Sequence, residues 1–320
     1  MNDLTKNEPL VSVCMPAYNC ERYIGETLRA LCSQSYSNIE IIVVNDGSAD
    51  GTQAVAADIG DNRIRLINVP NGGAARARNI AYRQSKGEFI VFFDADDLVG
   101  PDFIFNQMQL AMQWPECMIV SAWGRFYADM KTDFMLCNEP LTTPHTLEQW
   151  VIINWYHSRH NTPPGRLMLP RVIVDKAGPW NEELTLNDDF EFFTRVALQA
   201  KMIVPCMSAV YGYRTGVNGL SSQKNDPAYL SLFRSMLLSF EPVLAKYGAN
   251  EKVQRSCANL WKAYIYEVYP RLTEQRNFAK TQIKVLGGTD FNYPAGGLTS
   301  ILIKFAGWRI VKQLKILVKK

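Results

Sequence analysis

The sequence predicts an α/β fold: a mostly parallel sheet flanked by helices, with a helical extension at the C-terminal side. Three observations lead there. Four short apolar runs in the first hundred residues alternate with helix-like periodicity, the order of a parallel sheet with crossover helices. The fourth run, Phe89-Ile90-Val91-Phe92-Phe93, passes without a break into Asp94-Ala95-Asp96-Asp97. Carboxylates therefore stand at the carboxyl end of a buried strand, where open α/β sheets place ligands. Beyond Asn225 only helical patterns remain.

The elements follow in order. Val11 to Met15 reads as a strand stopped by Pro16, and Cys20 to Gln34 as a helix with Ile24, Leu28 and Leu31 on one face. Ile39 to Val44 is the second strand, and Asp50 to Ile59 a short helix with Asp50 as N-cap. Arg63 to Val69, Ala74 to Ser85 and Glu88 to Phe93 give strand, helix and strand. A helix from Pro101 to about Gln113 has proline in its first turn, as helices prefer. Strands are expected over Met118 to Tyr127, Phe134 to Asn138, Arg166 to Leu169 and Met202 to Tyr213, and helices over Leu147 to Trp155 and Asp188 to Gln199. Three helices close the chain: Pro227 to Tyr247, Glu251 to Tyr269, and Leu298 to Lys319. This divides the chain into a domain over 1–225, a helical extension over 226–297 and a basic tail helix over 298–320.

Composition narrows the function. The chain of 320 residues, 47% hydrophobic and 20% charged, is that of an ordinary globular protein. The seven cysteines form no Cys-x-x-Cys pair, so neither a zinc site nor a disulfide framework is indicated, and reduced thiols in a cytosolic compartment fit best. The N-terminus lacks the apolar core of a signal peptide, and no apolar stretch is long enough to span a bilayer. The net charge is +3, but the tail from Leu298 holds Lys304, Arg309, Lys312, Lys315, Lys319, Lys320 and no acid, which leaves the body net acidic. No electrostatic footprint for nucleic acid follows.

Four segments carry the chemistry: Val11-Ser12-Val13 to Pro16-Ala17-Tyr18-Asn19; Val43-Val44-Asn45-Asp46-Gly47-Ser48-Ala49-Asp50-Gly51-Thr52; Asn71-Gly72-Gly73 to Ala77-Arg78-Asn79; and Asp94-Ala95-Asp96-Asp97. Tyr18, just past the first strand, offers a ring on which a base stacks, or caps the core. Asp46 ends the second strand and either accepts a hydrogen bond from a base or caps the turn with Gly47 and Ser48. Asp94 and Asp96 can share a divalent cation with nucleotide phosphates, or form an acidic turn that only stops the strand. No Gly-x-Gly-x-x-Gly run is present, against a dinucleotide oxidoreductase.

In this order and spacing the chain resembles the family 2 inverting glycosyltransferases of GT-A fold, over roughly residues 10 to 215. The resemblance implies a donor site of Pro16, Tyr18, Asp46, Arg78, Asp94, Ala95, Asp96 and Arg214. In it Asp46 reads uracil, and Arg78 pairs with Asp46 or a phosphate. Asp96 binds Mn²⁺ or Mg²⁺ bridging the diphosphate, and Asp94 holds ribose or a metal-bound water. Arg214, in the pair Tyr213-Arg214, meets a phosphate; the histidine that the family often places a few residues later is absent. Ala81 stands where the family often has Gly. Trp180 either floors the sugar pocket or is a buried structural residue.

On the acceptor side, Asn187-Asp188-Asp189 to Arg195 resembles the family's Glu-Asp motif, with Asp188 in the place of the glutamate. Asp188 and Glu191 have the spacing of a reciprocal helix cap, which leaves Asp189 free as general base, its pKa raised by like charge. Arg195 anchors the helix. His145, His157 and His160 show no ligand spacing with acids and read as surface or acceptor-loop residues.

In the tail, Ile301, Leu302, Phe305, Ile310, Leu314 and Leu317 cluster on one helical face with Trp308, while Lys304, Lys312, Lys315 and Lys319 follow another. That is the pattern of a helix lying at an anionic membrane surface, or of a terminal helix packed on its own domain. The resemblance implies transfer from a nucleotide-diphosphate sugar, a UDP-sugar first, to a glycan or lipid-linked acceptor in surface-polysaccharide or lipopolysaccharide synthesis, at the cytoplasmic face of the membrane. Two rivals are a sugar-nucleotide nucleotidyltransferase, which would want a basic Gly-rich loop that Pro16 to Cys20 does not offer, and a non-catalytic nucleotide-sugar binding module at a membrane scaffold.

Overall fold

The computed structural model describes residues 8–159, 162–217, 219, 222–293, 302–303 and 307–318. In chain order the elements are β1 (Val11–Ala17), α1 (Ile24–Cys32), β2 (Ile39–Asp46), α2 (Thr52–Ala57), β3 (Ile64–Val69), α3 (Ala74–Gln84), β4 (Phe89–Phe92), β5 (Leu98–Val99), α4 (Phe103–Gln113), β6 (Met118–Phe126) and β7 (Met135–Leu136). They continue with α5 (Leu147–Asn154), β8 (Leu167–Pro170), α6 (Arg171–Ala177), α7 (Asp188–Gln199), β9 (Ile203–Arg214), α8 (Asp226–Tyr247), α9 (Glu251–Val268), α10 (Thr273–Val285) and α11 (Trp308–Val318).

The chain forms two compact units: residues 1–147 with 161–223, and residues 148–160 with 224–320. The stretch 148–160, which the sequence reading assigned to the first domain, thus clusters with the second unit. The first unit is built on one sheet with strand order β3-β2-β1-β4-β8-β6-β9-β5, and β7 on β6. β3, β2, β1 and β4 are parallel, as are β6 and β9. β8 lies antiparallel between β4 and β6. Two antiparallel steps restore direction, so β1, β2, β4, β6 and β9 all end at one edge.

The apolar runs form strands because both faces of the sheet are covered. Val11, Val13, Cys14, Met15, Ile41, Val43 and Val44 are each 0% exposed, as parallel strands between helices require. α1 buries Ile24, Leu28 and Leu31, the stripe expected from its periodicity. β5, too short to show in the sequence, pairs with β9 through Leu98–Gly212 and Val99–Tyr211. The strand expected over 134–138 is only two residues long, both exposed. The helices α6 and α10 were not expected.

In the second unit, α8 starts at Asn225, whose side chain accepts from Ala228 N, with proline in the first turn. Trp261 of α9, 2% exposed, sits at the centre with Phe233, Phe240, Tyr264 and Phe278 around it at centroid distances of 5.2–5.9 Å. Trp308 of α11 packs against Tyr293, Tyr269 and Tyr266 at 4.6, 5.1 and 5.8 Å. It does not lie in an open stripe at a headgroup boundary, as the periodicity suggested; three rings and the buried Val311 hold it inward. Ile310, Leu314 and Leu317 of the same helix are at least half exposed. Ile301, Lys304, Phe305 and Lys319 of the tail pattern, and His160, lie outside the described residues. No helix among the described residues is long and apolar enough to cross a membrane.

Candidate active site

The strand order reverses at β1: β2 and β3 lie on one side and β4 on the other. Such a switch point opens a crevice at the carboxyl ends of the strands. Pro16, Tyr18, Asp46 and the turn Asp94-Ala95-Asp96-Asp97 all stand at this edge. Tyr18 is 55% exposed, a ring face open to a ligand rather than a core cap. Its loop is fixed to the turn after β2, because Asn19 Oδ1 accepts from Ala49 N at 2.8 Å and Ser48 Oγ accepts from Asn19 N at 3.0 Å.

Asp46 is 3% exposed, and its carboxylate grips the loop before α3. Gly72 N and Gly73 N each donate to it at 2.8 Å, and Asn71 Nδ2 at 3.2 Å. Gly47 follows in the left-handed region at φ 70°, where a Cβ would meet Asn71 N at 2.7 Å. Only glycine fits there. The Asn71-Gly72-Gly73 motif is thus the partner of Asp46, brought back from beyond β3.

Arg78 does not meet Asp46. Buried on α3, it donates from Nη2 to Asp94 Oδ1 at 2.8 Å and from Nη1 to Asp188 Oδ2 at 2.9 Å. Its guanidinium carbon lies 4.6 Å from the centroid of the Trp180 ring. Asn79 brackets the Trp180 backbone, donating to its carbonyl at 2.9 Å and accepting from its N–H at 2.8 Å. Trp180, 2% exposed, stacks on Phe192 at 4.0 Å and packs edge-on to Phe92 and Phe193. It belongs to the core beneath the site rather than to the floor of a sugar pocket.

The acidic turn is held from below. Thr27 Oγ1 donates to the carbonyls of Ala95 and Asp97 at 3.0 Å. Asp97, fully buried, accepts from Tyr211 Oη and from Arg214 N at 2.7 Å. Arg214 Nε donates to the Asp96 carbonyl at 2.7 Å, Nη1 to the Ala128 carbonyl at 3.2 Å and Nη2 to Glu26 Oε2 at 2.7 Å. Its guanidinium lies between Phe126 and Tyr23, 4.4 and 4.9 Å from their centroids. Where a phosphate partner was expected, the structure gives Arg214 three protein acceptors: it is a strut beneath the turn. Glu26 and Thr27 were missed in the sequence, although a polar Thr27 inside the apolar stripe of α1 was a signal.

The Asp96 carboxyl is pushed up to about 7 by burial and then by neighbouring Asp94, and no side chain among the described residues donates to it. Two carboxylates with oxygen donors only, one lacking a cationic partner, suit a hard divalent cation. Among the described residues no group of three or more His, Cys, Asp or Glu could hold a metal alone. Asp94 and Asp96 could supply one or two carboxylates to a Mg²⁺ or Mn²⁺ whose other ligands came from phosphate and water.

Asp188 opens α7 but forms no capping box: Glu191 pairs with Arg195 at 2.6 Å, while Asp188 Oδ2 takes Arg78. The long reach of Arg78 outcompetes the local cap. Arg195 also donates to the carbonyls of Ala177 and Pro179 and so anchors α7, as expected. Burial raises the Asp188 carboxyl against the pull of Arg78. Asp189 is half-buried and accepts from Phe190 N at 2.8 Å. Burial, and then Asp188, push it up to about 7, into the range of a useful base. Arg78 therefore joins the acidic turn of β4 and the acids of α7 in one cluster.

A model of the family described as Glycosyl transferase family 2 matches residues 12–173. A glycosyltransferase of Rickettsia prowazekii is 25% identical over 308 residues, 94% of this chain and 96% of that protein. The glycosyltransferase EpsJ of Bacillus subtilis is 30% identical over 226 residues, 69% of this chain and 65% of that protein. Among solved structures, TarS 1–349 of S. aureus in complex with UDP-GlcNAc superimposes with a TM-score of 0.60 at 18% identity, covering 87% of this chain and 89% of that one. The mannosyltransferase PcManGT of Pyrobaculum calidifontis, in complex with GDP-Man and Mn²⁺, gives 0.57 at 18%, covering 98% and 89%. At these identities the likeness to solved structures speaks to the fold.

Proposed function

The chain belongs to glycosyl transferase family 2, has a GT-A fold and is a glycosyltransferase; from that premise we propose that it is an inverting, metal-dependent enzyme using a UDP-sugar. The acceptor is a hydroxyl of a glycan or lipid-linked saccharide, in surface-polysaccharide or lipopolysaccharide synthesis. One observation carries this reading: Arg78 bonds both Asp94 and Asp188, which supports taking the acids after β4 and those opening α7 as parts of one site.

Tyr18 stacks the base and Asp46 holds the loop beside it. Asp94 and Asp96 hold Mn²⁺ or Mg²⁺, which when bound neutralises charge on the departing diphosphate. The acceptor hydroxyl oxygen forms a bond to the anomeric carbon as the bond from that carbon to the diphosphate oxygen breaks. The hydroxyl proton passes to the Asp189 carboxylate, and the configuration inverts. Asp188 stays with Arg78 and keeps α7 in place. The exposed stripe of α11, with Arg309 and Lys315 beside it, attaches the enzyme to the cytoplasmic face of the membrane, where a lipid-linked acceptor resides.

The test is UDP release from a panel of UDP-sugars and saccharide acceptors, with Mn²⁺ or with EDTA. Release is expected with Mn²⁺ and lost in EDTA, and Asp189→Asn should keep less than about a tenth of it while folding cooperatively. More than that in the variant removes Asp189 as the base.

A further inference from the structure

We propose that Arg78 is a positioning residue whose guanidinium sets the separation between the donor-side turn at Asp94 and the helix that carries Asp189. This rests on the reading of Asp189 as the base. Asp94 and Asp188 come from elements far apart in the sequence, and the two outer nitrogens of one rigid fork meet them at 2.8 and 2.9 Å. The other oxygen of Asp188 accepts from Asp189 N at 3.0 Å. A continuous chain of bonds thus runs from the diphosphate side, through the guanidinium, to the backbone of the base.

The guanidinium has little freedom to turn. It is 6% exposed, one face lies on Trp180, and Trp180 is bracketed by Asn79, the next residue of the same helix. Nη1 and Nη2 are each already on a carboxylate, while Nε is buried without a hydrogen-bond partner. A planar fork spans two acceptors at fixed spacing, whereas a lysine ammonium is a point charge on a flexible stem. Transfer needs the hydroxyl and the anomeric carbon in near-attack geometry, and a misplacement of about 1 Å costs on the order of a hundredfold in rate.

Arg78→Lys separates charge from spacing. UDP with Mn²⁺ serves as the binding probe, by calorimetry, whose stoichiometry also counts intact sites. UDP release from the donor panel reports turnover per intact site. The expected result is UDP affinity within about threefold of wild type, an unchanged KM for the donor, and kcat lower by on the order of a hundredfold. A residue that only supported folding would lower the count of intact sites and leave their kcat alone, and that outcome overturns the proposal. So does a tenfold loss of UDP affinity with kcat retained, the mark of a direct phosphate contact. Should Arg78→Lys not fold, Asp188→Asn carries the test: UDP affinity held with kcat down about tenfold supports the proposal, and wild-type kcat overturns it. Asp189→Asn is assayed alongside. If it is silent while Arg78→Lys turns over normally, only the positioning role falls; if Asp189→Asn is active, the base and the positioning role fall together.

Discussion

The carboxyl groups of Asp94, Asp188 and Asp189 lie about the Arg78 guanidinium, so negative charge is in excess in a poorly solvated place. Asp189 shows the consequence for stability. Its folded value near 7 exceeds the unfolded value of about 4, so between these pH values the folded chain holds a proton that the unfolded chain has released. Stability from this group is therefore complete below about pH 4 and lost as pH rises through about 7. Asp189→Asn removes that loss. The variant should match wild type in urea unfolding near pH 4 and exceed it near pH 8 by on the order of 1–3 kcal/mol, the upper end trimmed by the water at its half-buried rim. A difference independent of pH would contradict the raised value.

Elements carry what single residues cannot, and α11 is the plainest case. Its inner edge, Trp308 and Val311, is committed to the second unit, while Ile310, Leu314 and Leu317 recur at helical spacing on its open edge. Arg309 and Lys315 add positive charge in a sequence that holds no acid from Leu298 onward, which suits anionic lipid. Lys312 is turned inward, 4.2 Å from the Tyr266 centroid. Co-sedimentation with phosphatidylglycerol vesicles is expected for the whole chain, and its loss in Leu314→Asp/Leu317→Asp and on removal of residues 298–320. Equal sedimentation of all three would leave α11 as a packing helix only. The sequence showed the two-sided pattern of this helix but not which edge is inside, because Trp308 suits a headgroup and a cluster of tyrosines equally well. The same limit applied at α7. Local spacing suggested an Asp188–Glu191 cap, and the partner that prevails, Arg78, is supplied by a helix far away in sequence. Strands β1, β2 and β4 were legible as nearly continuous apolar runs, and β3 from Ile64, Leu66, Ile67 and Val69 between two helices; β5, of two residues, leaves no periodic trace, and β7 keeps two of the five residues expected.

For the molecule as a whole, the proposed donor site would couple nucleotide, cation and folding. If Asp94 and Asp96 hold the cation beside the diphosphate, the affinities of the two ligands are linked. Mn²⁺ and UDP together should raise the melting temperature by several degrees, more than the sum of their separate effects; at a hundred times the dissociation constant a ligand adds about 2.7 kcal/mol. If Mn²⁺ adds nothing to the shift from UDP, the shared-cation site is wrong. Asp46 and Asp94 were legible as strand-end acids, and the structure has them at the carboxyl ends of β2 and β4. The sequence located Arg214 but not its duty, because the partners Glu26 and Ala128 come from elements whose adjacency is set only by the folded sheet.

β8 has one more consequence. It bonds to β4 through Phe89–Pro170 and Ile90–Leu169, and to β6 through Ile119–Met168 and Val120–Leu167. Four residues of one short strand therefore join β3, β2, β1 and β4 to β6 and β9. A change confined to loops beyond that seam would leave the acidic turn standing, whereas a change at the end of β9 would not, because Tyr211 and Arg214 hold the turn from below.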